Sequence, residues 1–131
     1  LNVIVCVGET LQEREVGKTI KIVQSQVESA LMDLELDDPQ RFVIAYEPVW
    51  AIGTGKNATP KEAEDVHATI REITGSIFAQ DSELIRIIYG GSVNGDNIEE
   101  LLHMENIYGA LIGGAGLDAD SFVKIVKIAG E

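Results

Sequence analysis

Glycine-rich or polar turns follow four short apolar runs of the sequence, and these turns hold the residue types best suited to binding and catalysis. They are Gly8-Glu9-Thr10, Glu47-Pro48-Val49-Trp50, Gly90-Gly91-Ser92 and Gly113-Gly114-Ala115-Gly116. Glycine lets a backbone approach a ligand closely, and the N-terminus of a following helix adds partial positive charge. Two such turns at one edge can therefore bind a phosphate group. The alternative is that these glycines only allow tight turns between strands and helices.

Glu47 stands directly after the second apolar run and directly before Pro48. A carboxylate at the end of a strand can be partly desolvated and directed into a pocket, as a general base requires. The alternative role for an acid at this place is a helix cap or an ion-pair partner. The segment 50–56 that follows is small and apolar, which is typical of a lid that closes over a ligand. Its alternative is an ordinary loop anchored by Trp50.

The apolar runs, with amphipathic segments between them, predict four strand–helix units. The predicted strands are Val3–Val7, Phe42–Tyr46, Ile85–Tyr89 and Ala110–Ile112. Apart from Arg86 they are almost unbroken in apolar character, which indicates parallel strands covered on both faces. The sequence therefore predicts an α/β fold with right-handed crossovers in one domain, residues 1–131. Because parallel strands end at one edge of their sheet, the glycine turns and Glu47 are expected to meet there.

Apolar residues at spacings of three and four predict the helices between the strands. The first helix carries such a stripe at Ile20, Val23, Val27, either Ala30 or Leu31, and Leu34. The second begins at a capping box, in which Thr59 caps, Pro60 takes the first helical position and Glu62 reaches back. Ile98 and Leu101 mark a short third helix. Asp118 is the predicted N-cap of the fourth, whose expected inward-facing residues are Phe122, Ile125, Val126 and Ala129.

Charge and composition exclude several classes of function. Of the 131 residues, 22 are acidic and 10 are basic, which gives a net charge of −12. Such a surface repels the phosphates of nucleic acids and anionic lipids, so neither is an expected partner. No apolar stretch approaches the roughly 18 residues of a membrane span, and a cytoplasmic location is expected. The chain opens at Leu1, almost directly into a predicted core strand, so a proteolysed or partial chain is one interpretation.

The remaining candidate residues are predicted to be structural. His67 lies in the middle of the second helix and His103 at the end of the third, away from the strand ends. Cys6, the only cysteine, can form neither an internal disulfide nor a structural zinc site, and it is expected in the core. No His, Cys and Asp residues have metal-ligand spacing, so no metal is expected. The acidic run 33–38 is predicted to be a solvated helix end.

Residues 45–56, AYEPVWAIGTGK, resemble the signature and flexible lid of the triosephosphate isomerase family almost residue for residue. Three further segments agree in order and spacing, namely Cys6–Thr10 with Glu13-Arg14, Ile88–Val93 and Leu111–Ala115. The resemblance implies the C-terminal (β/α)4 half of a TIM (β/α)8 barrel, because a full barrel takes eight strands and about 250 residues. One departure is Gly116, where a serine is common in the family.

The resemblance also implies roles for individual residues. Glu47 would be the base that shuttles a proton between adjacent carbons of dihydroxyacetone phosphate and glyceraldehyde 3-phosphate, a reaction of glycolysis and gluconeogenesis. The implied donors to the substrate phosphate are Gly53, Ser92, Gly113 and Gly114. The implied lid is Pro48, Val49, Trp50, Ala51, Ile52, Gly53, Thr54, Gly55 and Lys56. Tyr89 and Ser92 would latch the lid, and Glu9 would contact Trp50 in one lid position. No cofactor is implied.

Other groups that the family uses are not matched by this sequence. The family's electrophilic histidine, active-site lysine and substrate-contacting asparagine belong to the other half, as does the loop that dominates its dimer interface. Negligible turnover is therefore expected of the chain alone, because the enediolate oxygens lack electrostatic stabilisation. The expected partners are a triose phosphate and either the complementary half or a second copy, with a homodimer for the full-length enzyme. The alternatives are a non-catalytic, self-associating phosphate-binding half-barrel and an open twisted sheet without a closed pocket.

Overall fold

Three parallel strands and five α-helices form the fold in a computed structural model that describes residues 1–130. The strands are β1 (Val3–Val7), β2 (Phe42–Tyr46) and β3 (Arg86–Tyr89). The helices are α1 (Leu11–Glu15), α2 (Thr19–Leu31), α3 (Pro60–Phe78), α4 (Ile98–Leu102) and α5 (Ala119–Ala129). Short 3-10 turns span Pro39–Arg41, Val49–Ala51, Ala79–Leu84 and Gly114–Leu117.

The strands are arranged in the order β1-β2-β3, and both pairings are parallel. Val7 pairs with Tyr46, and Tyr46 pairs with Tyr89, so all three strands end at the same edge. The predicted α/β class and parallel strands are confirmed. The sheet is open, and this arrangement fits one half of a (β/α)8 barrel.

The fourth predicted strand, Ala110–Ile112, is not a strand. It is reduced to one parallel bridge between Tyr89 and Ala110. The Tyr89 amide donates to the Gly109 carbonyl at 3.0 Å, and the Leu111 amide donates to the Tyr89 carbonyl at 2.9 Å. The run holds only three apolar residues between Gly109 and Gly113, and glycine weakens a strand because it has no side chain to pack. The segment therefore lies in strand position without forming a ladder.

The helices cover one face of the sheet. Ile44, Tyr46, Ile87 and Tyr89 are fully buried there, together with Val23 and Val27 of α2 and Ala63 and Ile70 of α3. On the other face Ile4 and Cys6 are exposed, and Val43 and Ile88 are only half-buried. The expectation that both faces are covered is therefore wrong for the described chain. In a closed barrel the inner face is filled by side chains of the opposite strands, and three strands cannot provide them.

The predicted helix starts are confirmed where a cap defines them. The Thr59 hydroxyl accepts from the Glu62 amide at 3.2 Å, while the Glu62 carboxylate accepts from the Thr59 amide at 2.8 Å. The Asp118 carboxylate accepts from the Ser121 amide at 2.8 Å and caps α5. Helix α2 ends at Leu31, so Leu34 lies outside it and is exposed. None of the helices within residues 1–130 is long and apolar enough to cross a membrane.

Helix α5 buries less of its apolar stripe than the sequence predicts. Ile125 is buried, but Phe122 is 43% exposed and Val126 is 53% exposed. The helix packs mainly on α4 and on the turn Gly114–Leu117 that precedes it. Because residues 110–112 form no ladder beneath it, much of the stripe has no partner surface.

Loss of the Thr59 hydroxyl should destabilise the chain through the start of α3. Thr59→Ala is expected to lower the free energy of unfolding by about 1 kcal/mol, since the N-cap acceptor is lost. Urea unfolding followed by circular dichroism measures this. Thr69→Ala is the matched control, because the Thr69 hydroxyl bonds only to the Asp65 carbonyl within α3. Equal effects of the two substitutions would contradict the capping assignment.

Candidate active site

The carboxyl ends of the strands form one side of a cavity of about 480 Å³. Its lining contains Glu47 from the end of β2, Gly53 from the following loop, Ser92 from the turn after β3, and Gly113 and Gly114. Gly55, Gly90, Gly91, Val93, Ile52, Leu111, Ile112 and Ala115 complete the lining. Residues that are far apart in sequence thus meet in the way that parallel topology predicts. The sequence predicted that Glu47 and the turns containing Ser92, Gly113 and Gly114 meet at one edge, and it assigned Gly53 to the lid; the fold brings all five to one cavity.

Glu47 is positioned by hydrogen bonds that extend the sheet and by two glycines. Its amide donates to the Val7 carbonyl at 2.7 Å, and the Gly90 amide donates to the Tyr46 carbonyl at 2.8 Å. A side chain at Gly8 would overlap the Glu47 carbonyl, and a Cβ at Gly90 would lie 2.5 Å from Glu47 Cγ. Neither position therefore accepts a larger residue without moving Glu47. The half-buried Glu47 carboxylate is held close to both neighbouring strand ends.

Cys6 lies beside this carboxylate. Partial burial of the thiol, its hydrogen bond to the Glu47 carboxylate and the charge of that carboxylate raise the pKa of Cys6 to about 11. The prediction that Cys6 belongs to the core is wrong, because its side chain is exposed on the uncovered face of β1. The misassignment has a simple origin, since an apolar strand sequence does not show which of its faces is covered.

The predicted lid, Pro48–Lys56, starts as a helical turn and continues as an exposed loop. The Ala51 amide donates to the Pro48 carbonyl at 2.8 Å, and the Thr54 hydroxyl donates to the Trp50 carbonyl at 2.9 Å. Gly53 and Gly55 have φ angles of 65° and 75°, which other residue types adopt only with strain. The two glycines therefore fix the path of the loop over the cavity. Residues 52–57 are exposed.

Each of the three predicted latch residues contacts the lid or its flanks. The Ser92 hydroxyl donates to the Ala51 carbonyl at 2.7 Å. The Tyr89 hydroxyl accepts from the amide of Ala58, just beyond the lid, at 3.2 Å. The Trp50 indole donates to Glu9 at 3.0 Å. These bonds connect the loop to the ends of β1 and β3.

Glu9 is a fully buried carboxylate with donors from several elements. Besides Trp50, it accepts from the Tyr46 hydroxyl at 3.0 Å and from the Thr19 hydroxyl at 3.3 Å. Arg14 approaches it at 3.5 Å. Burial and the charge of Glu9 raise the pKa of Tyr46 above its usual range, so this phenol stays a hydrogen-bond donor.

Sequence reasoning missed Tyr46, Thr19 and Arg14 as partners of Glu9. One sequence pattern could have indicated the position of Arg14. Residues 10–13 repeat the Thr-x-x-Glu pattern of residues 59–62, and they form a second capping box that starts α1. That box places Arg14 near the end of β1. Tyr46 carried no such signal, because it lies 37 residues from Glu9.

The histidines lie apart from the cavity. His67 is fully buried, its ring packs 5.9 Å from Tyr46 and 6.4 Å from Tyr89, and its Nδ1 lies 3.1 Å from the Asn106 carbonyl. Burial lowers the pKa of His67 to about 4, so it is neutral near pH 7. His103 is exposed at the end of α4. Residues 1–130 contain no group of His, Cys, Asp and Glu that could hold a metal ion.

The turn at Gly113 and Gly114 is open toward solvent. A Cβ added at either glycine would meet no atom within 4 Å, so packing within the chain does not require glycine there. The Gly116 amide donates back to the Gly113 carbonyl at 2.9 Å and closes the turn. An anion at this place could therefore approach the backbone amides without meeting side chains.

Comparison with known proteins gives consistent matches across the chain. The family model described as triosephosphate isomerase matches residues 1–129. A triosephosphate isomerase from Chlorobium phaeobacteroides (strain BS1) is 56% identical over 99% of this chain and 52% of its own length. Those from Borreliella burgdorferi (strain ZS7) and Endomicrobium trichonymphae are 55% and 52% identical, each over 95% of this chain. The chain spans about half the length of these curated relatives.

Alkylation of Cys6 tests its placement beside Glu47. With iodoacetamide the rate should rise with a midpoint near pH 11, because the thiolate is the reactive form. Glu47→Gln should move this midpoint toward lower pH, since the substitution removes the carboxylate charge while keeping side-chain size. Glu105→Gln, an exposed acid, serves as the control and should leave the profile unchanged. Identical profiles for wild type and Glu47→Gln would show that the two groups do not interact.

Proposed function

The chain belongs to the triosephosphate isomerase family, and on that premise we propose that Glu47 is the base for interconversion of dihydroxyacetone phosphate and glyceraldehyde 3-phosphate. One observation carries the proposal. A single cavity is lined by a half-buried carboxylate, by the loop that contains Gly53, and by the open turn at Gly113 and Gly114. A base and an anion site within one cavity are what proton transfer on a phosphorylated substrate requires.

The substrate phosphate is assigned to the amides of Gly53, Gly113 and Gly114 and to Ser92. The described residues that line the cavity include no lysine or arginine. Backbone amides are therefore the available donors, and they can bind an anion despite the net charge of −12 because they act at contact distance. The Ser92 hydroxyl donates to the Ala51 carbonyl, so a bound phosphate would compete with that bond.

The proposed chemistry is a proton transfer between adjacent carbons. The Glu47 carboxylate removes a proton from the hydroxymethyl carbon of dihydroxyacetone phosphate, and the electron pair of that bond forms an enediolate. The same carboxyl group returns the proton to the neighbouring carbon, which yields the aldehyde. A proton must also move between the two substrate oxygens, which needs a further acid and base near those oxygens.

Glu47 is the only ionisable side chain among the described residues that line the cavity. The oxygen-to-oxygen proton transfer and the stabilisation of the enediolate are therefore assigned to the half-barrel that the family relatives have in addition. Negligible turnover is proposed for the chain alone, since loss of such electrostatic groups costs orders of magnitude in rate. The whole protein is proposed to act as a homodimer in the cytoplasm, in glycolysis and gluconeogenesis.

The lid has a chemical purpose in this proposal. An enediolate next to a phosphate ester can lose phosphate, and closing the cavity removes water and holds the intermediate in place. Pro48–Lys56 spans the opening between Glu47 and α3, and it contacts Ser92 on the opposite side of the cavity. The loop is thus placed where it could cover a bound triose phosphate.

Isomerase assays with and without the complementary N-terminal half of a family relative test the proposal. The chain alone is expected to be inactive, and the mixed halves are expected to show activity. In the mixture, Glu47→Gln should lower kcat by about 10²–10⁴-fold, because a positioned base is lost. Glu105→Gln should leave kcat unchanged. Retained activity in the Glu47→Gln mixture, or robust activity of the chain alone, would contradict the assignment.

A non-catalytic, self-associating phosphate-binding half-barrel is the second candidate. It is favoured by the open edge of the sheet, where Val3 and Ile4 of β1 are 44% and 50% exposed. An unpaired strand with exposed apolar side chains favours pairing with another chain.

Light scattering of the isolated chain tests self-association. The second candidate predicts a mass at least twice 14.2 kDa, and added salt should increase the associated fraction by screening the repulsion between acidic copies. A stable, soluble monomer at all concentrations would exclude it.

A further inference from the structure

Arg14 contacts one residue inside the lid and one residue in the helix that follows the lid. Its guanidinium carbon lies 4.5 Å from the centre of the Trp50 ring, near the N-terminal end of the loop. One of its nitrogens lies 2.5 Å from the Glu62 carboxylate, in the first turn of the helix that follows the loop. Its other terminal nitrogen lies 3.5 Å from the buried Glu9. A single side chain therefore joins Trp50 of the lid, the end of β1 and the start of α3.

The partners of Arg14 are each fixed by further bonds. Glu9 accepts the Trp50 indole N–H, so Trp50 is bonded to the carboxylate at one point and stacked against the guanidinium at another. The second oxygen of Glu62 accepts from the amide and hydroxyl of Thr59, at 2.8 Å and 2.9 Å. Arg14 itself is held by α1, whose start is fixed by the capping box of Thr10 and Glu13.

The chemistry of these contacts suits arginine in particular. A guanidinium presents donors on two sides and a flat face that stacks on an indole, so it can serve two carboxylates and a ring together. A lysine carries one compact charge and cannot do so. Rotation of Trp50 away from Glu9 would break its stacking on Arg14, and movement of the start of α3 would break the ion pair with Glu62.

We propose that Arg14 is a positioning residue that couples Trp50 of the lid to the start of α3, so that release of Trp50 and movement at the start of α3 occur together. Its consequence for catalysis rests on the proposed function, because it assumes that the lid covers the substrate of Glu47. The coupling itself rests only on the contacts of Arg14. It can therefore be measured without substrate.

Trp50 is the only tryptophan of the chain, so its fluorescence reports on the N-terminal part of the lid alone. Glu62→Gln is the informative substitution, since glutamine preserves a capping box while removing the charge that pairs with Arg14. The acrylamide quenching constant of Trp50 should rise about twofold in Glu62→Gln, although the contacts of Glu62 are to Thr59 and Arg14 and not to the indole. Arg14→Met should raise it further.

The double substitution separates coupling from independent effects. If Arg14 transmits the effect, Glu62→Gln adds nothing in the Arg14→Met background. Asp65→Asn, which breaks the exposed Lys61–Asp65 pair on the same helix, and Arg41→Met are matched controls that should not change quenching. Circular dichroism confirms that each variant is folded.

Unchanged quenching in Glu62→Gln, or additive effects in the double variant, would overturn the coupling. If only the proposed function is wrong, the mixed halves will show no isomerase activity, while the effects of the substitutions on Trp50 quenching will remain. In mixtures that are active, Arg14→Met should change KM more than Arg41→Met does, because the lid position in which Trp50 is bonded to Glu9 loses the stacking of Arg14.

Discussion

The buried carboxylate of Glu9 is the group on which the arrangement of the site depends. A fully buried charge is tolerated only when hydrogen bonds and an opposite charge compensate for its lost hydration. Here the compensating donors come from the end of β2, the start of α2, helix α1 and the lid, through Tyr46, Thr19, Arg14 and Trp50. Satisfying one charge therefore fixes the relative positions of four segments around the cavity.

Close approach of the backbone is the second constraint, and it determines where Glu47 lies. The turns after β1 and β3 press against Glu47 from both sides, and only the absence of a side chain at Gly8 and Gly90 allows this. Glu47 is thus positioned by the ends of the strands. The predicted lid, in contrast, is joined to the strand ends by one backbone bond, from the Val49 amide to the Glu9 carbonyl at 3.0 Å, and by side-chain bonds of Trp50 and Ser92.

The face of the sheet that the helices do not cover exposes apolar side chains, and so does part of α5. Ile4 and Cys6 on β1 and Phe122 and Val126 on α5 are exposed because the described chain provides no surface opposite them. Family relatives are about twice as long as this chain.

The sequence by itself determined the features that depend on near neighbours: the strands at 3–7 and 42–46, the capped starts of α3 and α5, and glycine turns at strand ends. Parallel topology then placed Glu47, Gly53, Ser92, Gly113 and Gly114 around one cavity, which followed from the order of strands and helices. Tertiary structure alone decided that residues 110–112 form a single bridge, that Cys6 is exposed beside Glu47, and that Arg14, Tyr46 and Thr19 converge on Glu9. Periodicity and capping are local properties of the chain. Coverage of a sheet face and compensation of a buried charge depend on residues tens of positions apart, and only the folded chain brings those together.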